Sequence, residues 1–389
     1  MRIAFFLRKH NGWTGGLNYL RNLLDLIKTY SGGEIEAILY CDEQIDSTVR
    51  ESFQNSLLSS IRILPSFSIS RTFVHLLKLR NHDLEHRLKQ DGIDVVFQSG
   101  IWLGFHFGIP TLAWIPDFQH KHLPQMFSKV SLLKRDLGYR LLSRSATTLM
   151  VSSRDAERDW NSFYSHTKKP VCVFPFCVNP GNISTEAEAT IILKKYELND
   201  RFIYLPNQLW KHKNHVSVLK ALSSLKKRGI LAKIVATGSP TDYRNPKYPE
   251  SLLSLVKFFD LEDYFVFLGL IPIQDVPVLM RCSVAVMNPS LFEGWSTTVE
   301  EAKSIGTPLL LSSIDVHREQ ANGKAVFFDP RNVTEIADTI EYAMSDEFQS
   351  NHPKGNRTNS VKIYEAIREQ CYENFESILY KTTAMHSKN

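Results

Sequence analysis

The chain has 389 residues, room for two or three domains with a sizeable core, and its 43% hydrophobic and 22% charged residues are the composition of an ordinary globular protein. No run of about 18 apolar residues occurs, which excludes a membrane-spanning helix. The net charge of +5 is unevenly placed: residues 1–175 carry 22 Lys and Arg against 16 Asp and Glu, and the remainder 24 against 25. A basic first half suits an anionic membrane surface better than nucleic acid, because no nucleic-acid motif accompanies the charge.

The first residues, Met1 to Lys9, are too short and too soon charged for a signal peptide and read as a buried strand. Five scattered cysteines (Cys41, Cys172, Cys177, Cys282, Cys371) predict reduced thiols in a cytoplasmic protein, not a disulfide frame or a zinc site.

In chain order, Ile3–Leu7 is strand-like, residues 10–16 form a loop, and Leu17 to Tyr30 has helical periodicity. Gly15 and Gly16, adjacent and just before the helix, let backbone approach a ligand, or simply turn the chain. Strands at 35–40, 61–64, 93–98 and 111–115, with a helix at 72–90, predict a parallel sheet wrapped by helices. His82-Asp83-Leu84-Glu85-His86 has the two-His-and-Glu look of a metalloprotease, but on a helix charged all round it reads as a solvated face.

Trp114 to Pro124 is denser in chemistry. It follows an apolar strand at the carboxyl end, where open α/β sheets bind ligands. Asp117, Gln119 and His120 can orient sugar hydroxyls, His120 with His122 can ligate a metal, and the stretch can equally be a structural turn. Ser128 to Arg144 is a basic amphipathic helix, either a core helix with a solvated face or a membrane-surface helix.

A polar connection from 179 to about 200 precedes a second run of alternating elements. A strand at 201–205 leads through Asn207, Gln208, Lys211 and Lys213 into a helix. A lysine at a helix start suits a phosphate. A strand at 233–237 ends in Gly238, which would allow close approach of a ligand, and residues 239–249 read as a mobile loop.

Pro289 to Ala302 follows the apolar run Val284–Met287 and enters a short helix stopped by Gly306 and Pro308. Thr297 with Glu300 has capping-box spacing. Strand, glycine turn and helix N-terminus together make an anion site, with Thr297 and Thr298 adding hydroxyls. Glu293 and Glu301, seven residues between them, would repel phosphate, so sugar or ribose hydroxyls are their natural partners.

This segment resembles the donor motif of the large retaining glycosyltransferase family with the GT-B fold: Glu293, Gly294, Glu301, Ala302, Gly306 and Pro308 all match. The resemblance implies two doubly wound, Rossmann-like α/β domains facing a cleft. These are an acceptor-side domain at 1–178, a nucleotide-sugar domain at 179–360, and a C-terminal helix at 361–389 crossing back to the first. It implies donor contacts by Gly15, Gly16, Asn207, Gln208, Lys213, Gly238, Gly294, Trp295, Ser296, Thr297, Thr298 and Glu301, with His120, Asp117 and Glu293 catalytic at the reacting sugar and Lys213 catalytic at the departing diphosphate.

The family's diphosphate-gripping arginine falls where this chain has Asn207 or Gln208, a departure that shifts the load to Lys213. The implied reaction moves a hexose-type sugar from GDP-mannose or a UDP-sugar onto a glycan or lipid-linked saccharide. It does so with retention, without metal or other cofactor. A nucleotide-sugar epimerase or hydrolase of the same fold, or a non-catalytic sugar-nucleotide binder, are the competing classes.

Overall fold

The computed structural model describes residues 1–7, 14–54, 61–64, 80–99, 101–165, 169–180, 185–199, 201–355 and 357–386. The chain forms two compact units, one of Met1–Cys177 with Ile367–Asn389 and one of Val178–Ala366.

The first unit is built on a seven-stranded parallel sheet: β1 (Arg2–Leu7), β2 (Glu36–Asp42), β3 (Ile61–Leu64), β4 (Val95–Gln98), β5 (Thr111–Ile115), β6 (Thr148–Val151) and β7 (Val171–Val173). Their order is β3-β2-β1-β4-β5-β6-β7. Helices cover both faces, which is why its central strands read as unbroken apolar runs; Ile3 to Leu7 are all buried.

The second unit repeats the plan with β8 (Ile203–Leu205), β9 (Ile234–Ala236), β10 (Phe265–Phe267), β11 (Ala285–Asn288), β12 (Leu309–Ser312) and β13 (Val326–Phe328), ordered β10-β9-β8-β11-β12-β13 and all parallel. Alternate residues feed opposite faces. Ile203, Leu205, Ile234, Met287 and Leu310 enter one core cluster, and Phe202, Tyr204, Val235, Val286 and Leu311 the other. Each large side chain so buried contributes roughly 1.5–3 kcal/mol. In this sheet the winding reverses between β8 and β11, and in an open α/β sheet the carboxyl ends at such a reversal form a ligand crevice.

Several expectations need correction. The polar connection near 179–200 contains a helix, Glu186–Lys195, started by a true capping box between Thr185 and Glu188; residues 181–184 and 200 lie outside the described residues. Of the helix expected at 72–90, His82–Gln90 is helical, capped by Asn81, while residues 72–79 lie outside the described residues.

Glu85 is not on a solvated face. It is buried between Arg80 (2.6 Å) and Lys89 (2.8 Å), and these cations outweigh the upward push of burial and hold its carboxyl at about 2. The loop at 239–249 is tied down: Asp242 is buried, Trp210 Nε1 donates to the Thr241 carbonyl at 3.0 Å, and Arg244 lies over the Trp210 ring. The last helix, Arg357–His386, starts earlier than expected and continues from the second unit into the first at Ile367. No helix among the described residues is long and apolar enough to cross a membrane.

Candidate functional site

The best-defined constellation sits at the carboxyl ends of β8 and β11 in the second unit. After β11 the chain runs through Pro289–Trp295 into the helix Thr297–Ile305. The helix begins where expected, but its cap is Ser296, whose hydroxyl accepts from the Val299 amide at 3.4 Å. Thr297 is the first helical residue, so there is no Thr297–Glu300 capping box. Glu300 instead turns inward and accepts from Lys303 (2.8 Å), Gln320 (2.9 Å) and Tyr364 (2.9 Å). Gly306 ends the helix at φ +79°, where a side chain would be strained. The Ser296 cap leaves the Thr297 and Thr298 amides as first-turn donors with no acceptor among the described residues, at the positive end of the helix dipole.

Lys213 ends a short 3-10 turn, Lys211–Lys213, from which Asn214 in the left-handed conformation (φ 61°) starts the helix His215–Lys227. The Asn214 side chain donates to the Pro289 and Pro330 carbonyls (3.1 and 2.7 Å), so this turn is pinned to the loop after β11. That pinning brings Lys213 Nζ to 2.6 Å from Glu293 Oε1. The same oxygen accepts from Ser290 Oγ at 2.6 Å. Burial pushes the Glu293 carboxyl up, but Lys213 above all overcomes it and the group sits at about 2, ionised throughout the physiological range. The recorded partners of Glu293 use Oε1; Oε2 has none among the described residues and remains an acceptor for a ligand hydroxyl.

Three buried histidines surround this ion pair, and none was singled out from the sequence. Burial drives His212 well below its ordinary value, His215 to about 3 and His317 to about 4, so all three stay neutral and add no charge. Their signal in the sequence was slight: polar residues interleaved with apolar ones on short helices. Asn288, Ser290 and Gln320 were missed likewise. Asn288 Nδ2 donates to Ser296 Oγ at 2.9 Å, and Gln320 clasps the Ser296 backbone, accepting from its amide (3.1 Å) and donating to its carbonyl (2.7 Å).

Glu301, one turn into the helix, has no side-chain partner among the described residues, and burial alone raises its carboxyl to about 7. Thr297 is half-buried with no partner for its hydroxyl among the described residues, whereas Thr298 is buried with its hydroxyl 3.5 Å from the Pro206 carbonyl. Gly294 and Trp295 lie half-buried in the intervening loop, and Gln208 is half-buried after β8. Ser296 is buried and occupied as a cap. Asn207 is buried, donating to Asn288 Oδ1 at 3.3 Å.

Gly238 has a structural task of its own. At φ +143°, a Cβ there would stand 2.7 Å from the Asn207 carbonyl oxygen, so the glycine serves the close approach of two backbone segments.

In the first unit Gly15 and Gly16 lie within the first turn of the helix Thr14–Tyr30, not in the loop before it; residues 10–13 of that loop lie outside the described residues. Tyr19 on this helix stacks on Trp114 (centroids 3.8 Å), three residues before Asp117. Asp117 Oδ1 accepts from the Gln119 amide (3.0 Å) and Arg135 (3.3 Å).

His120 is buried, its Nε2 at 3.4 Å from both Asp136 Oδ1 and Tyr164 Oη. Burial, then Arg135, lower its pKa against the pull of Asp136, which favours the neutral ring. Its Nδ1 is buried with no partner among the described residues. His122 turns instead to Asp159 at 2.8 Å, so the two histidines do not converge on one metal.

Two doubly wound parallel sheets, with the polar constellation at the strand reversal of the second, define a GT-B-fold protein. Solved structures of this class match nearly the whole chain. Sucrose-phosphate synthase from Thermosynechococcus elongatus is 14% identical with TM-score 0.72, covering 98% of this chain and 99% of that one. Anabaena HepE in complex with UDP and glucose is 16% identical with TM-score 0.70, covering both chains fully. A glycosyltransferase from Rickettsia africae is 17% identical with TM-score 0.67, covering 100% and 98%.

Residues 190–360, which lie in the second unit, match the family model described as glycosyl transferases group 1. Over 96 residues the chain is 28% identical to O-antigen chain mannosyltransferase B of Escherichia coli, a match spanning 25% of each protein.

Proposed function

We propose that the protein is a retaining glycosyltransferase that moves a hexose-type sugar from a nucleoside-diphosphate donor, GDP-mannose or a UDP-sugar, onto a glycan or lipid-linked saccharide, as in cell-surface polysaccharide assembly. One observation carries the reading: two carboxyl groups flank a helix N-terminus, Glu293 holding Lys213 through one oxygen with its other open, and Glu301 with no side-chain partner among the described residues. The names of relatives fit it, since HepE structures hold UDP-glucose and one curated relative is a mannosyltransferase.

In this mechanism the Thr297 and Thr298 amides, the Thr297 hydroxyl and Lys213 hold the diphosphate and stabilise the charge that develops as it departs. Glu301 accepts from the ribose hydroxyls, and Glu293 Oε2 accepts from a hydroxyl of the sugar. The acceptor hydroxyl attacks the anomeric carbon on the face the diphosphate leaves; the new C–O bond forms as the old one breaks, and a departing phosphate oxygen takes the hydroxyl proton. His120 and Asp117 are assigned to the reacting sugar from the first unit.

Because Lys213 and the helix end meet the phosphate charge, transfer is expected to persist in EDTA. The test is transfer of labelled sugar from GDP-mannose and from UDP-sugars to lipid-linked and free saccharides. His120→Ala is expected to lose transfer while retaining donor binding. Release of free sugar or epimer without any acceptor would assign the protein to a different reaction.

A further inference from the structure

We infer that Arg244, carried by the loop after β9, is the second cation of the donor site: it meets the terminal phosphate of the nucleoside diphosphate beside Lys213 and stabilises it as the bond to the sugar breaks. The inference rests on the donor reading above and deepens it.

The charge balance of the site calls for such a group. Lys213 is held at 2.6 Å by the ionised Glu293, and His212, His215 and His317 are neutral. Glu301 adds negative charge as it ionises. After β8 the chain offers the side-chain amides of Asn207 and Gln208 and no cation before Lys211. Lys213, the two acids and the histidines thus bring no net positive charge to a diphosphate, and the helix end supplies only a partial one.

Arg244 is built in beside them. The loop after β9 is fastened to the loop after β8 at three successive points. Gly238 packs on the Asn207 backbone, the Leu209 amide donates to the Ser239 carbonyl at 3.1 Å, and Trp210 Nε1 donates to the Thr241 carbonyl at 3.0 Å. Buried Asp242 then accepts from the Arg244 amide (3.0 Å) and the Asn245 side chain (3.4 Å) and turns the chain.

That turn lays the guanidinium 4.6 Å from the centroid of the Trp210 ring and sets Nη2 3.2 Å from His212 Nδ1, the neutral ring accepting. Asp242 faces the other edge, 3.6 Å from Nε. His212 directly precedes Lys213. After burial, the charges that act on its ring are those of Lys213, Glu293 and Arg244, so the arginine shares the surroundings of the ion pair. Its side chain is 10% exposed, where charge is weakly screened. A planar guanidinium meets phosphate through two parallel N–H bonds, which a lysine does not.

The alternative is a purely structural clip on Trp210, and binding separates the two. UDP, GDP and their monophosphates UMP and GMP are titrated into the wild type, Arg244→Met and Arg244→Lys, with melting temperatures taken alongside. Methionine keeps hydrocarbon over Trp210 and removes the charge. The diphosphate that binds the wild type is expected to bind Arg244→Met at least ~10-fold more weakly, and its monophosphate less than ~3-fold, as for one lost charge-assisted phosphate contact. Arg244→Lys should recover part of the loss, and in transfer by Arg244→Met kcat should fall further than KM rises. Adding Gln208→Arg to Arg244→Met returns a cation to the loop after β8 and is expected to restore diphosphate affinity. Equal changes for diphosphate and monophosphate, or none, overturn the inference and leave the donor reading standing. Failure of the wild type to bind either diphosphate removes the donor reading and the inference with it.

Discussion

At the scale of single residues, two acids on one loop-and-helix segment titrate in opposite directions, and the difference is testable. Glu293 is held at about 2, so the stability it contributes is present above the ordinary carboxyl range and is lost as pH falls toward 2. Glu301 is raised to about 7, so its contribution is fully present below about 4.5 and is lost as pH rises through 7. Glu301→Gln is therefore expected to melt higher than the wild type at pH 8 and nearly equal to it at pH 4.5, by calorimetric scans at both.

The same ionisation makes Glu301 a better acceptor for ribose hydroxyls. Between pH 6 and 8 nucleotide affinity of the wild type should gain up to ~10-fold over that of Glu301→Gln, the ratio cancelling the phosphate's own titration. Equal pH profiles for the two proteins would remove Glu301 from the nucleotide. Lys213→Met leaves the Glu293 charge in a site where its side chain is 10% exposed. A loss of about 3 kcal/mol in urea unfolding is expected. Adding Glu293→Gln should restore stability without restoring transfer, which separates the structural from the catalytic part of the pair.

At the scale of elements, the helix Thr297–Ile305 divides its first turn between itself and a ligand. Ser296 is spent on the helix: Ser296→Ala removes the cap and a buried bond from Asn288, and should cost about 1–2 kcal/mol. Thr297→Ala touches no internal bond among the described residues, and should leave stability within ~0.5 kcal/mol while weakening nucleotide binding. Urea titration and calorimetry on both variants read the two effects apart.

This division was only half legible in the sequence. The strand, the turn and the helix start at Thr297 followed from apolar runs and glycine placement, Glu293 and Glu301 from their spacing, and Lys213 from the family resemblance. That Ser296, rather than Thr297, is the cap depended on the backbone turning one residue earlier, which local pattern does not decide. The backbone contact at Gly238 was hidden for a related reason. A glycine that lets two backbones meet looks the same in sequence as one that admits a ligand.

At the scale of the molecule, the strands were readable because parallel sheets covered on both faces demand continuous apolar runs, as in Ile3–Leu7 and Leu309–Leu311. Short amphipathic helices such as Glu186–Lys195 and Asp315–Ala321 were not, since their polar residues resemble those of loops. The histidines around Lys213 were invisible for a tertiary reason: His212 and His215, on one turn and helix start, meet His317 of another helix only after the sheet has wound. The basic helix was recognised, but which of its faces points outward is decided by Asp136 and Arg135 pairing inward, contacts with partners 15 and 18 residues away.

The account turns on whether the second unit binds a nucleoside diphosphate through the Thr297 helix end, Lys213 and Glu301. Isothermal titration of UDP and of GDP into the wild type, Thr297→Ala and Glu301→Gln at pH 8 asks this directly. One of the two nucleotides should bind the wild type, and each variant should bind it at least ~10-fold more weakly while melting cooperatively. Binding of equal strength to all three proteins, or binding of neither nucleotide to the wild type, would contradict it.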